Sequence, residues 1–272
     1  MTDQEARYDT IAEGYAELWS PVHRPATLGL LGEVERDVAA GARTLIDVGC
    51  GTGALVAEAA GRWPGVAVDG VDVSAGMLAI AERTGRALPA AVQTRIRFSQ
   101  APADRLPYPD ASFDVALTSF VLQLVPSRHR ALREIRRVLR PAGRLALVTW
   151  LRGGEPLIAD RAYDEALVAA GLEPRESGGG DDDLDSPAEA VAVLRRAGFA
   201  EVTARGETLV HAFTPESFLG FIARFDDADQ FDALDEADRA RLEADVLARL
   251  RALPSDGLRL VAPIVYATGR RT

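Results

Sequence analysis

The chain has 272 residues, 47% apolar and 26% charged, which gives room for one large α/β domain or two small ones with a sizeable core. A formal charge of −10 argues against a protein that wraps a phosphate backbone, and the absence of lysine removes amine nucleophiles and Schiff-base chemistry. One cysteine, Cys50, excludes an internal disulfide framework; with no apolar run of membrane-span length and no signal-peptide pattern, a cytoplasmic protein is expected.

Residues 4–19 read as a helix, with Tyr8, Ile11, Tyr15, Leu18 and Trp19 at helical spacing, broken by Pro21 and Pro25. Placed before the first strand, such a helix can lie across a ligand mouth as a lid. A second helix is predicted over about 26–40. Strand one is 44–48, and a helix follows over 53–63. Strand two is 67–73, with Ser74 capping a helix that buries Met77, Leu78 and Ala81. A third strand covers 94–99, a proline-rich loop 101–112, and a fourth strand 113–119. The helix capped by Ser127 carries six arginines, Arg128 to Arg140, read mostly as a solvated face. Pro141-Ala142-Gly143 then turns the chain into strand five, 144–150.

This alternation of strand and helix implies a doubly wound, Rossmann-like parallel sheet. Beyond it, 158–170 is helical and 173–185 is an acidic, glycine-rich loop or linker. A helix at 187–197, a strand at 201–213, helices at 215–225 and 236–253, and a strand at 258–268 complete the chain, the two late strands pairing antiparallel at one edge of the sheet.

The chemistry centres on the turn after strand one, Asp47-Val48-Gly49-Cys50-Gly51-Thr52-Gly53. Glycines there leave bare backbone where a ligand approaches closely. Cys50 is read as a small turn residue rather than a reactive thiol. Gly49 to Ala54, followed by Asp72, also satisfies a loose dinucleotide fingerprint. Asp47 discriminates between ligands. A pyrophosphate wants backbone N–H groups and would be repelled by a carboxylate two residues upstream, whereas an ammonium and a cationic sulfur would welcome it. S-adenosylmethionine has both, and a ribose for Asp72.

Ile46 to Gly53 resembles the first motif of class I S-adenosylmethionine-dependent methyltransferases. Val71-Asp72-Val73-Ser74 with Met77-Leu78 resembles the second, Leu106 to Asp114 the run into the fourth strand, and Arg137 to Gly143 the turn into the fifth. The branch it resembles is the small-molecule one that includes quinone-biosynthesis and natural-product enzymes; Tyr8-Asp9 and Ala12 to Tyr15 resemble that branch's lid.

The resemblance implies a single domain (lid 1–41, cofactor core 42–150, substrate-side helices and last strands 151–272) with a mostly parallel seven-stranded sheet, an antiparallel edge strand and helical insertions near the C-terminus. It implies S-adenosyl-L-methionine as cofactor. Gly49 and Gly51 would approach its methionine part, Cys50 and Gly53 complete the turn, and Asp47 supports its ammonium. Asp72 would take the ribose hydroxyls, Val73 and Met77 flank the adenine, and Ala103 offers it an N–H. Ser119 and Phe120 would line the carboxy-propyl side, with Tyr15 closing from the lid. Pro102 stands where many relatives carry an adenine-binding aspartate, leaving Asp104 or Gln100 as substitutes, and Ala142 replaces a more usual glycine.

Methyl transfer needs positioning and water exclusion, and an oxygen or carbon acceptor also needs a base. Of His23, His129 and His211, His23 is the candidate because it follows the lid. Tyr15, Trp19, Gln123 and Trp150 are candidate pocket walls; the apolar residues after strand five and in 213–225 can build such a pocket, and core packing explains them equally well. No metal is expected. The partner expected is a small, flat, hydrophobic or aromatic acceptor methylated on oxygen, nitrogen or carbon, with no nucleic acid and no membrane. A nicotinamide-dependent oxidoreductase and a fold that binds cofactor without transfer stay open.

Overall fold

The computed structural model describes residues 3–174 and 183–272. In chain order, α1 is Asp3–Gly14, followed by a π-helical turn Tyr15–Trp19, α2 Ser20–Ala39, β1 Thr44–Val48, α3 Ala54–Arg62, β2 Ala67–Asp72 and α4 Ala75–Arg86. Next come α5 Ala90–Gln93, β3 Ile96–Gln100, β4 Phe113–Ser119, α6 Arg128–Val138, β5 Leu139–Trp150 and α7 Ile158–Ala169. The chain then forms α8 Pro187–Arg196, β6 Phe199–Ala212, α9 Pro215–Phe221, a second π turn Ile222–Asp226, α10 Ala228–Asp232, α11 Glu236–Arg251 and β7 Arg259–Arg271.

Among the described residues seven strands form one sheet in the order β3-β2-β1-β4-β5-β7-β6. β1 pairs parallel with both β2 and β4, so the strand order reverses between them, and ligands of such sheets sit at that crevice beyond the strand carboxyl ends. β7 runs antiparallel to β5 and β6, one place in from the edge. Alternate residues of each strand feed the two faces. Leu45, Val68, Leu117 and Val148 pack under α2, α3 and α7, while Ile46, Val71, Ala116 and Leu147 pack under α6 and α8.

The N-terminal helix differs from the expected pair broken by prolines. It is helical from Asp3 to Ala39, because the π turn inserts one residue of slack and Ser20 N–H bonds back to the Tyr15 carbonyl. Pro21 then falls directly after the π turn, in the first turn of α2, and Pro25 lies one turn further inside it.

β5 begins earlier than expected, at Leu139. Its predicted turn, Pro141-Ala142-Gly143, is an irregularity inside the strand, where the pairing with β4 shifts between Phe113 and Val115. Ala142 takes a left-handed φ of 62°, the conformation for which a glycine is better suited.

Part of the α6 arginine face is structural rather than merely solvated. Arg137 bridges Glu134 and Asp110, Arg140 reaches Asp114 and Thr44, and Arg136 donates to the Gly198 carbonyl. Of the acidic stretch 173–185, residues 175–182 lie outside the described residues. No helix among the described residues is long and apolar enough to cross a membrane.

Candidate active site

The turn after β1 is tied to its neighbour strand. Gly49 and Cys50 both donate to the Val71 carbonyl, at 2.7 and 3.0 Å, Gly51 donates to Asp72 Oδ2 at 2.8 Å, and Gly53 donates to the Cys50 carbonyl. Four of its backbone donors are thereby used internally, which leaves the Thr52 N–H and the first turn of α3 as the donors that remain.

Gly49 and Gly51, at φ of 76° and 51°, serve different ends. A Cβ on Gly49 would lie 2.2 Å from Val121 Cγ2, so glycine lets the segment after β4 close over the turn. A Cβ on Gly51 would meet nothing within 4 Å and would project into open space, leaving that flank of backbone accessible to a ligand. Gly53 lines neither of the two spaces beside the turn; it permits α3 to pack on Ala81 of α4. Cys50 is buried and its thiol is pushed well up by burial, which suits a turn residue and not a nucleophile.

Two carboxylates face this turn. Asp72 ends β2, with Oδ1 accepting from the Ser74 N–H at 3.0 Å in addition to the Gly51 bond. Burial raises its pKa. Asp47, in β1, is 2% exposed with Oδ1 buried and unpartnered, and burial followed by repulsion from Asp72 pushes its pKa up to about 8. A buried acid without a counter-charge, next to a second acid, fits a cationic ligand.

α1 docks onto α4 through Asp9, whose Oδ1 accepts from Ser74 Oγ at 2.6 Å and from the Gly76 N–H at 2.9 Å. From there Tyr8 and Tyr15 project towards the turn, their rings edge to face at 6.0 Å. Tyr15 Oη is hydrogen-bonded to His23 Nε2 at 2.8 Å, His23 Nδ1 to Thr27 Oγ1 at 3.2 Å, and Thr27 Oγ1 to Ser119 Oγ at 2.8 Å. Burial lowers the His23 pKa to about 4 and raises that of Tyr15. Both rings are therefore neutral at pH 7.

A cavity of about 790 Å³ opens beside the turn. Asp72, Val73, Met77, Ala103 and Asp104 line one part, and Ser119, Phe120, Tyr15 and His23 lie among the other walls. A smaller gap of about 40 Å³, shared with it at Tyr15, His23, Gly49, Gly51 and Ser119, also reaches Asp47 and Cys50. Trp19, Gln123 and Trp150, expected as walls, line the cavity.

Phe120 holds a left-handed φ of 55° at the end of β4. Its carbonyl accepts from Gln123 Nε2 at 2.7 Å, and Thr149 Oγ1 donates to Gln123 Oε1 at 2.9 Å. That bracket sustains a strained backbone beside the site and sets the Phe120 ring 4.3 Å from Trp150 and 5.2 Å from His23.

Other expectations separate. His129 is exposed and His211 packs edge-on to Phe213; neither lines the cavity. His23 lies inside α2, not in a loop. Gln100 donates to the Val73 carbonyl and does not line the cavity, whereas Asp104 does. Phe213, Phe218, Phe221 and Phe225 are buried packing behind the wall, with Phe221 and Phe225 at 5.2 and 6.2 Å from the Trp19 ring. The sequence reading missed Arg24, hidden by treating the Pro21–Pro25 stretch as a break, Thr27 at the start of the second predicted helix, and Leu260 and Ala262. The last two reach the cavity because β7 is antiparallel, which puts its first residues at the carboxyl end of β5.

The methyltransferase domain family matches residues 46–147. Over 212 residues the chain is 35% identical to the 27-O-demethylrifamycin SV methyltransferase of Amycolatopsis mediterranei, covering 78% of this chain and 72% of that protein. It is 35% identical over 157 residues to the ubiquinone/menaquinone biosynthesis C-methyltransferase UbiE of Ectopseudomonas mendocina, covering 57% of this chain and 56% of that one. The solved structure of the YcgJ protein from Bacillus subtilis has the same fold, with a TM-score of 0.58 at 20% identity over 90% of this chain and 98% of that one.

Proposed function

We propose, for a chain that belongs to the class I S-adenosylmethionine-dependent methyltransferases, that the acceptor is a flat, hydrophobic small molecule methylated on a hydroxyl oxygen, with His23 receiving the proton. As a member of that class it is a methyltransferase that acts on a small molecule with S-adenosylmethionine as cofactor, which removes the dehydrogenase and transfer-free readings. Asp47, Gly49 and Gly51 hold the cofactor's methionyl end and Asp72 its ribose. Val73, Met77 and the Ala103 N–H hold the adenine, with Asp104 facing the amino group in the role lost at Pro102. The buried, unpartnered Asp47 oxygen and the open flank of Gly51 support this placement.

The observation that carries the acceptor reading is the cavity walled by Trp19, Phe120 and Trp150, with a neutral imidazole in the same wall. Oxygen is favoured over carbon because the alignment that spans most of both chains is with an O-methyltransferase. The cofactor supplies a methyl group on a cationic sulfur that leaves as a neutral thioether, so the protein's work is in-line positioning and exclusion of water. His23, with a pKa of about 4, is too weak to ionise a hydroxyl beforehand. It is strong enough to take the proton once the new O–C bond makes that oxygen acidic. Tyr15, bonded to Nε2, hands the proton across, and Thr27 on Nδ1 fixes the ring.

The test is His23→Gln, assayed by S-adenosylhomocysteine release with a panel of phenolic and macrocyclic alcohols. The expected result is a loss in kcat of about 100-fold or more, the usual contribution of a positioned base, with an unchanged dissociation constant for S-adenosylhomocysteine. Wild-type kcat in the variant would remove His23 from the mechanism. A methyl group found on carbon in the product would replace the oxygen reading.

A further inference from the structure

We propose that Arg24 is the anchor for the carboxylate of the cofactor's amino-acid end, reached from the lid helix rather than from the sheet. The proposal rests on the cofactor class and is independent of the acceptor reading above. The methionyl end carries an ammonium and a carboxylate. Asp47 answers the ammonium, but Asp47 and Asp72 both repel the carboxylate, so a cation has to stand opposite it.

The glycine turn offers only neutral donors, chiefly at Thr52, which lines the gap, and no counter-charge. Its N–H groups at Gly49, Cys50, Gly51 and Gly53 are spent on Val71, Asp72 and Cys50. Ser119 Oγ is paired with Thr27. Among the described residues that line the cavity or the smaller gap, one carries a cationic side chain, Arg24. It lines the gap together with Asp47, Gly49, Gly51 and Ser119.

Three features of the gap suit this role. Arg24 has no carboxylate partner among the described residues, although the ion pairs at Arg62, Arg83, Arg205 and Arg224 show how readily this acidic protein supplies one. The space of about 40 Å³ is of the size of about three or four water-sized atoms, by the rule that one water needs roughly 10–15 Å³, which is enough for a carboxylate group. A planar guanidinium matches a carboxylate with two parallel N–H donors, so its recognition is geometric as well as electrostatic.

Arg24 also directly follows His23 in α2. A loaded cofactor would therefore hold the helical turn that carries His23, and the lid would read the amino-acid end of the cofactor while the sheet reads its nucleoside.

The test compares two ligands by calorimetric titration: S-adenosylhomocysteine and its decarboxylated analogue. In the wild type, the analogue should bind about 10- to 100-fold more weakly, the range for a charge-assisted hydrogen-bonded pair. Arg24→Ala should weaken S-adenosylhomocysteine by a similar factor and leave the analogue unchanged, and Arg24→Lys should restore part of the loss. Arg7→Ala, which removes the cation acting on Tyr8, should discriminate between the ligands as the wild type does. Equal weakening of both ligands in Arg24→Ala, or a carboxylate-selective loss in Arg7→Ala instead, would overturn the proposal. A wild type that binds neither ligand would instead count against the cofactor assignment itself.

Discussion

At Asp47, strands on both sides exclude water, Oδ1 has no donor, and the Asp72 carboxylate adds its repulsion; the acid therefore titrates at about 8 in the folded protein. Its unfolded value is 3.8, so this group's contribution to stability is complete below that pH and is lost as the pH climbs through about 8. An ammonium placed beside it reverses the balance by favouring the ionised form. Cofactor binding below pH 8 should therefore expel a proton, and affinity should rise between pH 6 and pH 8. Calorimetry of S-adenosylhomocysteine binding at pH 6.5, in two buffers of different ionisation heat, should report release of up to about one proton. Asp47→Asn should abolish the release. A heat identical in both buffers for the wild type would sink the assignment of Asp47 to the ammonium. The place of Asp47 and Asp72 beside the glycine turn was readable from the sequence because their distance from the glycines is set by one strand end each. Arg24 and Thr27 were not, since their place depends on how a helix crosses two prolines.

The N-terminal segment, expected as a lid, is one helix with a π turn at Tyr15–Trp19, and the second π turn, Ile222–Asp226, packs beside it. Gly14 makes that approach possible, as a Cβ there would lie 2.5 Å from the Arg224 carbonyl oxygen. Arg224 in turn donates to Glu17 Oε1 at 3.0 Å. Such turns commonly mark functional positions, and here the first turns Tyr15 and Trp19 onto the cavity side. Helical periodicity alone located the element and its aromatic stripe, but no sequence rule announces a π turn, so Pro21 and Pro25 read as a break. What docks the lid is Asp9, which caps the start of α4 together with Ser74. Asp9→Ala removes one cap, worth about 1 kcal/mol, or roughly a fivefold rise in the undocked population. Hydrogen exchange at pH 7 should show faster exchange over residues 6–14 with the sheet unchanged. Protection equal to the wild type would mean that the apolar contacts of Tyr8 and Ala12 alone hold the lid.

Across the whole molecule, the two ends of the chain bracket the site that the middle builds. The strand–helix alternation of residues 44–150 was sufficient to place the sheet, its parallel order and the glycine turn at the end of β1, because each step there joins neighbouring elements. The acceptor side was not readable in the same way. Its walls come from α2, the segment after β4, the end of β5 and the start of β7, which meet only through the antiparallel insertion of β7 beside β5. Phe221 ties these parts together. It is 8% exposed, 5.2 Å from the Trp19 ring, and within 5.5 to 6.2 Å of Phe213, Phe218 and Phe225. It does not line the cavity itself. Phe221→Ala should cost about 3 kcal/mol of stability through the cavity it leaves. It should also free Trp19, raising KM for the acceptor while leaving the dissociation constant of S-adenosylhomocysteine in place. Thermal unfolding, steady-state kinetics and calorimetry on one preparation separate these effects. A parallel loss of both affinities would show that the C-terminal helices support the cofactor as well, and that acceptor choice is not lodged in this layer alone.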